Sequence, residues 1–312
     1  MDHNTTSVSG ILLVDKPKGI TSHDVIHDIR RRLAKGVKVG HTGTLDPMAT
    51  GLLIVALGSA TRLIQYAPGS PKTYRAVITL GASSTTDDAE GSLTPWDVSQ
   101  APTKEEMEKV VASFIGTLKQ IPPAYSALKY QGKKLYEYAR RGQAEDIAAK
   151  VGERRAEITV YSISILRYDF PELEIEVQCS SGTYIRSLAR DIGHQLRTGG
   201  YLSYLRRTAI ANVSVEQAIS VEKLSTAPAL TDFLLPAKAL VAQLPVILLD
   251  EASVAQCKQG KQITVQNVPL HITHQVSTLQ PYVSIYNDKQ RLIGIATFDP
   301  ATGLLSPKTI LS

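Results

Sequence analysis

A chain of 312 residues has room for one large domain and a small one, and 43% hydrophobic with 20% charged residues is the make-up of an ordinary globular protein. No run approaches the ~18 apolar residues of a membrane span, and the polar stretch Met1 to Gly10 lacks the basic and apolar regions of a secretion signal, so a cytoplasmic protein is expected. Two distant cysteines, Cys179 and Cys257, exclude a disulfide framework or a zinc knuckle, and a net charge of +5 leans mildly toward a polyanionic partner.

In chain order, the apolar run from Gly10 to Asp15 predicts a strand closed by the turn sequence KPKG. Thr21 to Leu33 predicts a helix, capped by Thr21 or Ser22, with Val25, Ile29 and Leu33 on one face. Gly51 to Leu57 is apolar throughout, as in a strand buried on both faces. Alternation from Tyr74 to Leu80 predicts another strand, as do Ile158 to Leu166 and Leu173 to Val177, before a helix from Tyr184 to Leu196. Elements of both kinds without a βαβ repeat predict a mixed α+β domain. Residues 225 to 245, with Pro228, Pro236 and Pro245, are expected to be a linker or packing segment. Beyond them Pro245 to Asp250, Tyr282 to Tyr286, Leu292 to Phe298 and Leu304 to Ile310 predict a small all-β module. The expected division is thus 1–235 and 245–312.

The segment GHTGTLDPMATG, residues 40 to 51, is the richest in chemistry. Its three glycines permit close approaches and positive-φ turns, and Pro47 stiffens the backbone that presents the Asp46 carboxylate. A loop anchored by a buried strand is where catalytic groups tend to lie, although an arbitrary Asp-Pro more often just caps a turn.

This loop resembles the motif G-H-x-G-x-L-D-P-x-A-x-G of TruB-type tRNA pseudouridine synthases at every fixed position. Four further segments follow the family's order: VDKPKGITS (14–22), KTYR (72–75), QIPPAYSALKYQGKKLYEYAR (120–140) and CSSGTYIR (179–186). The resemblance spans about residues 11 to 210. It implies a catalytic domain built on a mixed, mainly antiparallel sheet, with an RNA-gripping insertion near 119–155 and a PUA-like RNA-binding module at the C-terminus. It implies isomerisation of uridine 55 in the T arm of tRNA, after base flipping, with Asp46 as nucleophile. Attack at C1′, attack at C6 and removal of the C2′ proton remain open. The reaction is redox-neutral, so no cofactor and no metal are expected, and the stand-alone bacterial pattern implies no protein partner.

The resemblance also assigns companions. Tyr74 matches the tyrosine that stacks on the flipped base, Arg186 the arginine that holds the aspartate ionised and oriented, and His41 the residue that helps extrude the nucleotide. Lys16 and Arg62 match basic positions near the cleft, with Arg62 standing where lysine is usual. Asp88 keeps an acidic position and Leu205 a substrate-contacting one, while Thr85 replaces a frequent additional Asp.

Between Lys129 and Arg155, eight Lys or Arg stand against four Asp or Glu, with Tyr130, Tyr136 and Tyr138 interleaved. Lys129, Lys133, Lys134 and Arg141 are the expected phosphate contacts there, with the tyrosines available to stack on unpaired bases. Arg30, Arg31, Arg32, Lys35 and Lys38 form a second basic run. Two rivals fit less well. A zinc deaminase needs H-x-E and P-C-x-x-C, absent here, and the His23-to-His27 spacing has Asp where a zinc helix has Glu. A non-catalytic RNA binder rests on little more than the G-x-x-G of residues 40–43.

Overall fold

The computed structural model describes residues 8–67, 70–126, 128–139, 142–143, 147, 150–151, 157–265 and 281–311. Its first half carries β1 (Gly10–Lys16), α1 (Ser22–Arg31), β2 (Val39–His41), β3 (Thr50–Leu57), β4 (Lys72–Leu80), the hairpin β5 (Ala82–Ser84) and β6 (Leu93–Pro95), α2 (Lys104–Ala112) and β7 (Gly116–Leu118). A short hairpin, β8 (Lys129–Tyr130) with β9 (Lys133–Lys134), runs into α3 (Leu135–Ala139). Then follow β10 (Ile158–Asp169), β11 (Glu172–Cys179), α4 (Ile185–Gln195), β12 (Gly200–Ile210), β13 (Val213–Ser214) and β14 (Ile219–Ser220).

One mixed sheet organises this part, in the order β14-β1-β3-β12-β4-β11-β10-β7, with β2 beside β3 and β13 beside β12. Most pairs are antiparallel; β1–β14 and β3–β12 are parallel. The apolar run of β3 serves both faces. Leu52, Ile54 and Ala56 enter one core with Ile11 and Leu13, whereas Leu53, Val55 and Leu57 enter another with Leu12, Val14 and the Val25, Ile26 and Ile29 face of α1. A third core packs Tyr74, Ala76, Ile78 and Leu80 of β4 against Ile185, Leu188, Ala189 and Ile192 of α4. Alternation along each strand is what sends neighbouring residues to opposite layers. The helix expected from Thr21 begins as a full capping box, with Thr21 accepting from Asp24 N and the Asp24 carboxylate accepting from Thr21 N.

Residues 225–245 are packed, not a linker. Leu230, Leu240 and Val241 are buried, and the Ile11 and Leu235 backbones exchange two hydrogen bonds of 2.9 Å. The C-terminal part is a five-stranded sheet, β15 (Val246–Leu249), β17 (Tyr282–Asn287), β18 (Leu292–Asp299), β19 (Leu304–Ile310) and β16 (Ile263–Thr264) in spatial order. It is not all-β: the helix Glu251–Lys258, N-capped by Asp250, buries Val254 and Cys257 against it. Alternating apolar residues are sparse in EASVAQCK, which leaves no helical stripe to read in the sequence.

Candidate active site

The loop between β2 and β3 emerges where β3 meets β12 in parallel and β12 meets β4 antiparallel, with Arg207 opposite both Gly51 and Tyr74. Its shape comes from named contacts. Asp46 O accepts from Ala49 N at 3.1 Å, a four-residue turn with Pro47 in second position. The Ser22 hydroxyl, buried at the start of α1, accepts from Leu45 N at 2.8 Å and lies 3.1 Å from Leu45 O. Lys16 is fully buried beneath the turn and donates to the carbonyls of Ile20 (2.7 Å), Pro17 (2.9 Å) and, more weakly, Pro47 (3.4 Å). Of the three loop glycines, Gly51 alone takes a positive φ, +104°, and a Cβ there would sit 2.3 Å from Arg207 O.

Arg186, in the first turn of α4, reaches the Asp46 carboxylate with Nε 3.0 Å from Oδ2; its side chain is 6% exposed and that of Asp46 37%. This is a charge contact, not an aligned hydrogen bond, since the Nε–H has no acceptor along its direction. The rest of the guanidinium is fixed: Nη1 donates to Asp88 Oδ2 at 3.3 Å and Thr86 O at 3.1 Å, and Nη2 to Tyr125 O at 3.1 Å. Asp88 is itself buried, accepting from the Thr86 hydroxyl and from Glu90 N. Beside it Arg190 pairs with Asp87 at 2.8 Å. Thr85, standing where the family often has Asp, holds the β5–β6 turn through hydrogen bonds with Ser92.

Tyr74 is buried on β4, and burial pushes its phenol pKa up, with the neighbouring Arg207 charge opposing. Arg207 is buried too, donating to Leu52 O at 2.7 Å and Gly43 O at 3.0 Å, and so ties the loop to β3. His41 Nδ1 accepts from Gly43 N at 3.3 Å, and burial lowers its pKa. Lys16 is pushed down to about 8 by burial, while Asp46 pulls the other way.

Asp46, Arg186 and Asp88 are thus joined in one chain of contacts. Tyr74 and His41 belong to the same constellation through Arg207, and Leu205 lies buried in the core that Tyr74 shares with Leu45. Arg62 does not join them: its guanidinium donates to Ile310 O at 2.7 Å, because the 3-10 segment Gly58–Tyr66 that carries it packs toward the C-terminal sheet. Lys16 and Asp88 support the loop and Arg186 from below, turned inward and not displayed at a surface. Lys133 is exposed in the β8–β9 hairpin, and the backbones of Lys129 and Lys134 belong to the same hairpin; Arg141 lies outside the described residues. Arg32, from the second basic run, instead donates to the carbonyls of Leu224 and Ala227. His23 and His27 are exposed on α1, and no cluster of metal-ligating side chains occurs among the described residues. Arg207 and the Ser22 clamp escape the sequence reading; Arg207 lies in a strand whose alternation is broken by two register shifts.

Family models match in two adjoining pieces: TruB family pseudouridylate synthase (N terminal domain) over residues 31–185, and tRNA pseudouridylate synthase B C-terminal domain over 186–242. A protein named tRNA pseudouridine synthase B from Cupriavidus metallidurans is 39% identical over 312 residues, covering 97% of this chain and 94% of that one. Its namesake from Aquifex aeolicus is 39% identical over 306 residues, covering 97% and 100%. Among solved structures, one described as an H/ACA RNP bound to a substrate RNA containing 2′-deoxyuridine superposes with a TM-score of 0.70 at 22% identity, over 97% of this chain and 85% of that one, which establishes likeness of fold. With full-length relatives at this identity, and an Asp-bearing loop fixed as the motif led one to expect, the chain belongs to the TruB family of pseudouridylate synthases.

Proposed function

We propose that this chain isomerises uridine to pseudouridine at position 55 in the T arm of tRNA, with Asp46 as nucleophile. The observation that carries this reading is the 3.0 Å contact between Asp46 and an Arg186 whose two terminal nitrogens are both tied to other partners. An immobilised guanidinium keeps a positive charge beside the carboxylate at no cost in reorganisation when the substrate arrives. In the net reaction the N1–C1′ bond breaks, a C5–C1′ bond forms, and one proton leaves C5 as one is gained at N1. Nothing enters or leaves overall, so no redox group is called for. A stacked uridine hides the atoms concerned, and flipping must precede chemistry. Tyr74 is the platform for the flipped base, Leu205 its apolar neighbour, and His41 on the loop the residue that favours the extruded state.

The β8–β9 hairpin with α3 is the RNA-gripping insertion, Lys129, Lys133, Lys134 and Arg141 being its phosphate contacts. The C-terminal sheet is a PUA-like module reaching another part of the tRNA, with 1–235 and 245–312 as the two domains. The chain works alone, in the cytoplasm; among the described residues no helix is long and apolar enough to cross a membrane. The deciding experiment is to map pseudouridine in T-arm RNA before and after incubation. The unmodified protein should give product at the target uridine. Asp46→Asn should give none while binding the RNA within about tenfold of the unmodified protein, a difference of about 1.4 kcal/mol. Near-normal turnover by Asp46→Asn would remove the nucleophile.

A further inference from the structure

Most cations on the elements around the Asp46 loop are already occupied. Arg186 is shared between Asp46 and Asp88, Arg190 holds Asp87 and Asp191, and Arg206 grips Asp15 through two contacts of 3.0 and 2.7 Å. Lys16 and Arg207 give their donors to backbone carbonyls. Lys72 differs. Its ammonium donates to the Ser181 hydroxyl at 2.6 Å, and among the described residues no carboxylate lies within ion-pair distance of it. The residue precedes Tyr74 by two on β4, which puts both side chains on one face of the strand, about 7 Å apart. It also borders the catalytic loop, since a Cβ on Gly43 would lie 3.6 Å from Lys72 Cε.

Lys72 therefore stands between the Asp46 loop and the 180–183 turn that leads into α4, beside the expected base platform. Half-burial pushes its pKa down to about 8, with Arg207 of β12 adding to the push. The thiol of Cys179 on β11, which also faces it, is held neutral by burial, its pKa raised to about 11. A partly desolvated cation with a hydroxyl but no anion gains from an incoming one. We propose that Lys72 binds a backbone phosphate flanking the flipped uridine, forming an anion subsite between Gly43 and Ser181. This rests on the reading of the site as one for a flipped uridine. The span from Tyr74 to Lys72 is comparable to that from a base to its phosphate across one ribose. The contact forms when the nucleotide enters the pocket, so it favours the flipped state more than the initial docking of the stem.

The test uses single-turnover pseudouridine formation with T-arm RNAs carrying one uncharged methylphosphonate, either 5′ or 3′ of the target uridine. Lys72→Met should slow the reaction about tenfold or more, the scale of removing one hydrogen bond to a charged group, whereas Lys72→Arg should keep most of the rate. One of the two methylphosphonates should slow the unmodified protein to a similar extent and have no further effect on Lys72→Met, as expected for two halves of one contact. A full rate for Lys72→Met would overturn the inference. So would methylphosphonate losses that multiply with the Lys72→Met loss, which would leave Lys72 as a tether for the 180–183 turn. Should Lys72→Met fail to fold, the unmodified protein still decides: indifference to both methylphosphonates would overturn the subsite. Absence of product from the unmodified protein on unmodified RNA would instead count against the reading of the whole site.

Discussion

A single guanidinium carries two duties in this site, and its substitutions should separate them. Arg186 faces Asp46 with Nε and buried Asp88 with Nη1. Arg186→Ala leaves Asp88 buried without its cation, which should destabilise the fold by about 3 kcal/mol in urea unfolding. Arg186→Lys keeps a charge but cannot reproduce the fork, so RNA binding should persist while single-turnover rates fall. In an Asp46→Asn background neither change should lower activity further, because residues acting as a unit are non-additive. If Arg186→Lys turns over at the unmodified rate, the Asp46 contact is ornamental. Lys16 offers a second test through pH. Its pKa is lowered from 10.5 to about 8, so between these values the unfolded chain binds more protons and stability should climb with pH. Lys72 adds a slope of the same sign in the same window. A Lys16→Met variant should show a shallower rise in urea midpoint between pH 8 and 9.5; an identical slope would mean that Lys16 does not titrate there. Asp46, Tyr74 and Arg186 stood out as candidates in the sequence because each sits in a motif that resembles a family's, and the structure brings Asp46 and Arg186 within 3.0 Å. Lys72 sits in one too, as the first residue of KTYR, but nothing there announces an inward-facing lysine. Whether a lysine head turns into a site depends on what packs around its stem.

The strand that joins the site together is the one the sequence concealed. β12 lies between β3 and β4 and delivers Leu205, Arg206 and Arg207, yet it has no clean alternation. Register shifts against β4 between Leu202 and Tyr204, and again between Arg207 and Ala209, reset the period of two. A buried arginine at one inward position removes the remaining apolar signal. By contrast β1, β3, β4 and β11 were legible, since each keeps its pattern over most of its length, and β10 was legible through its run of β-branched and apolar residues from Ile158 to Leu166 despite two register shifts of its own against β11. The parallel seam of β3 and β12 turns on Gly51, whose φ of +104° and close approach to Arg207 O admit no side chain. Gly51→Ala should therefore cost about 2 kcal/mol or more in urea unfolding and displace the Asp46 loop; a cost below about 0.5 kcal/mol would show that the seam relaxes freely. For the β8–β9 hairpin the expectation concerns salt. Replacing Lys133, Lys134 and Arg141 with Ala should lower the log–log salt slope of RNA binding by roughly 0.7 to 0.9 in magnitude for each phosphate that is no longer neutralised. An unchanged slope and affinity would make the hairpin a solvated surface.

At the scale of the whole molecule, the two sheets share a core. Leu292 and Ile295 of β18 pack with Ile11, Leu13, Leu52, Leu63, Leu240 and Val241 of the first part, and Tyr286 and Leu311 border the same cluster. Polar bonds cross the seam as well: the Tyr66 hydroxyl and the Thr309 hydroxyl lie 2.8 Å apart, and Arg62 holds Ile310 O. The sequence hid this seam because apolar positions do not say which of two neighbouring cores they serve. A consequence follows for any truncation. Removing residues 245–312 takes away a proposed RNA-binding module and also strips one wall from the core behind β3, the strand that anchors the Asp46 loop. Chain 1–244 should thus melt lower than the full chain by about 5 °C or more, taking a few degrees per kcal/mol for a part of this size. RNA contact and core support then separate by substrate. At a temperature where chain 1–244 remains folded, activity on an isolated T-arm stem-loop reports the loss of support, and any additional loss on whole tRNA reports missing contacts. A larger loss on whole tRNA is expected. Equal losses on both, together with the lowered melting temperature, would mean that the second sheet serves this enzyme as a buttress and touches no RNA.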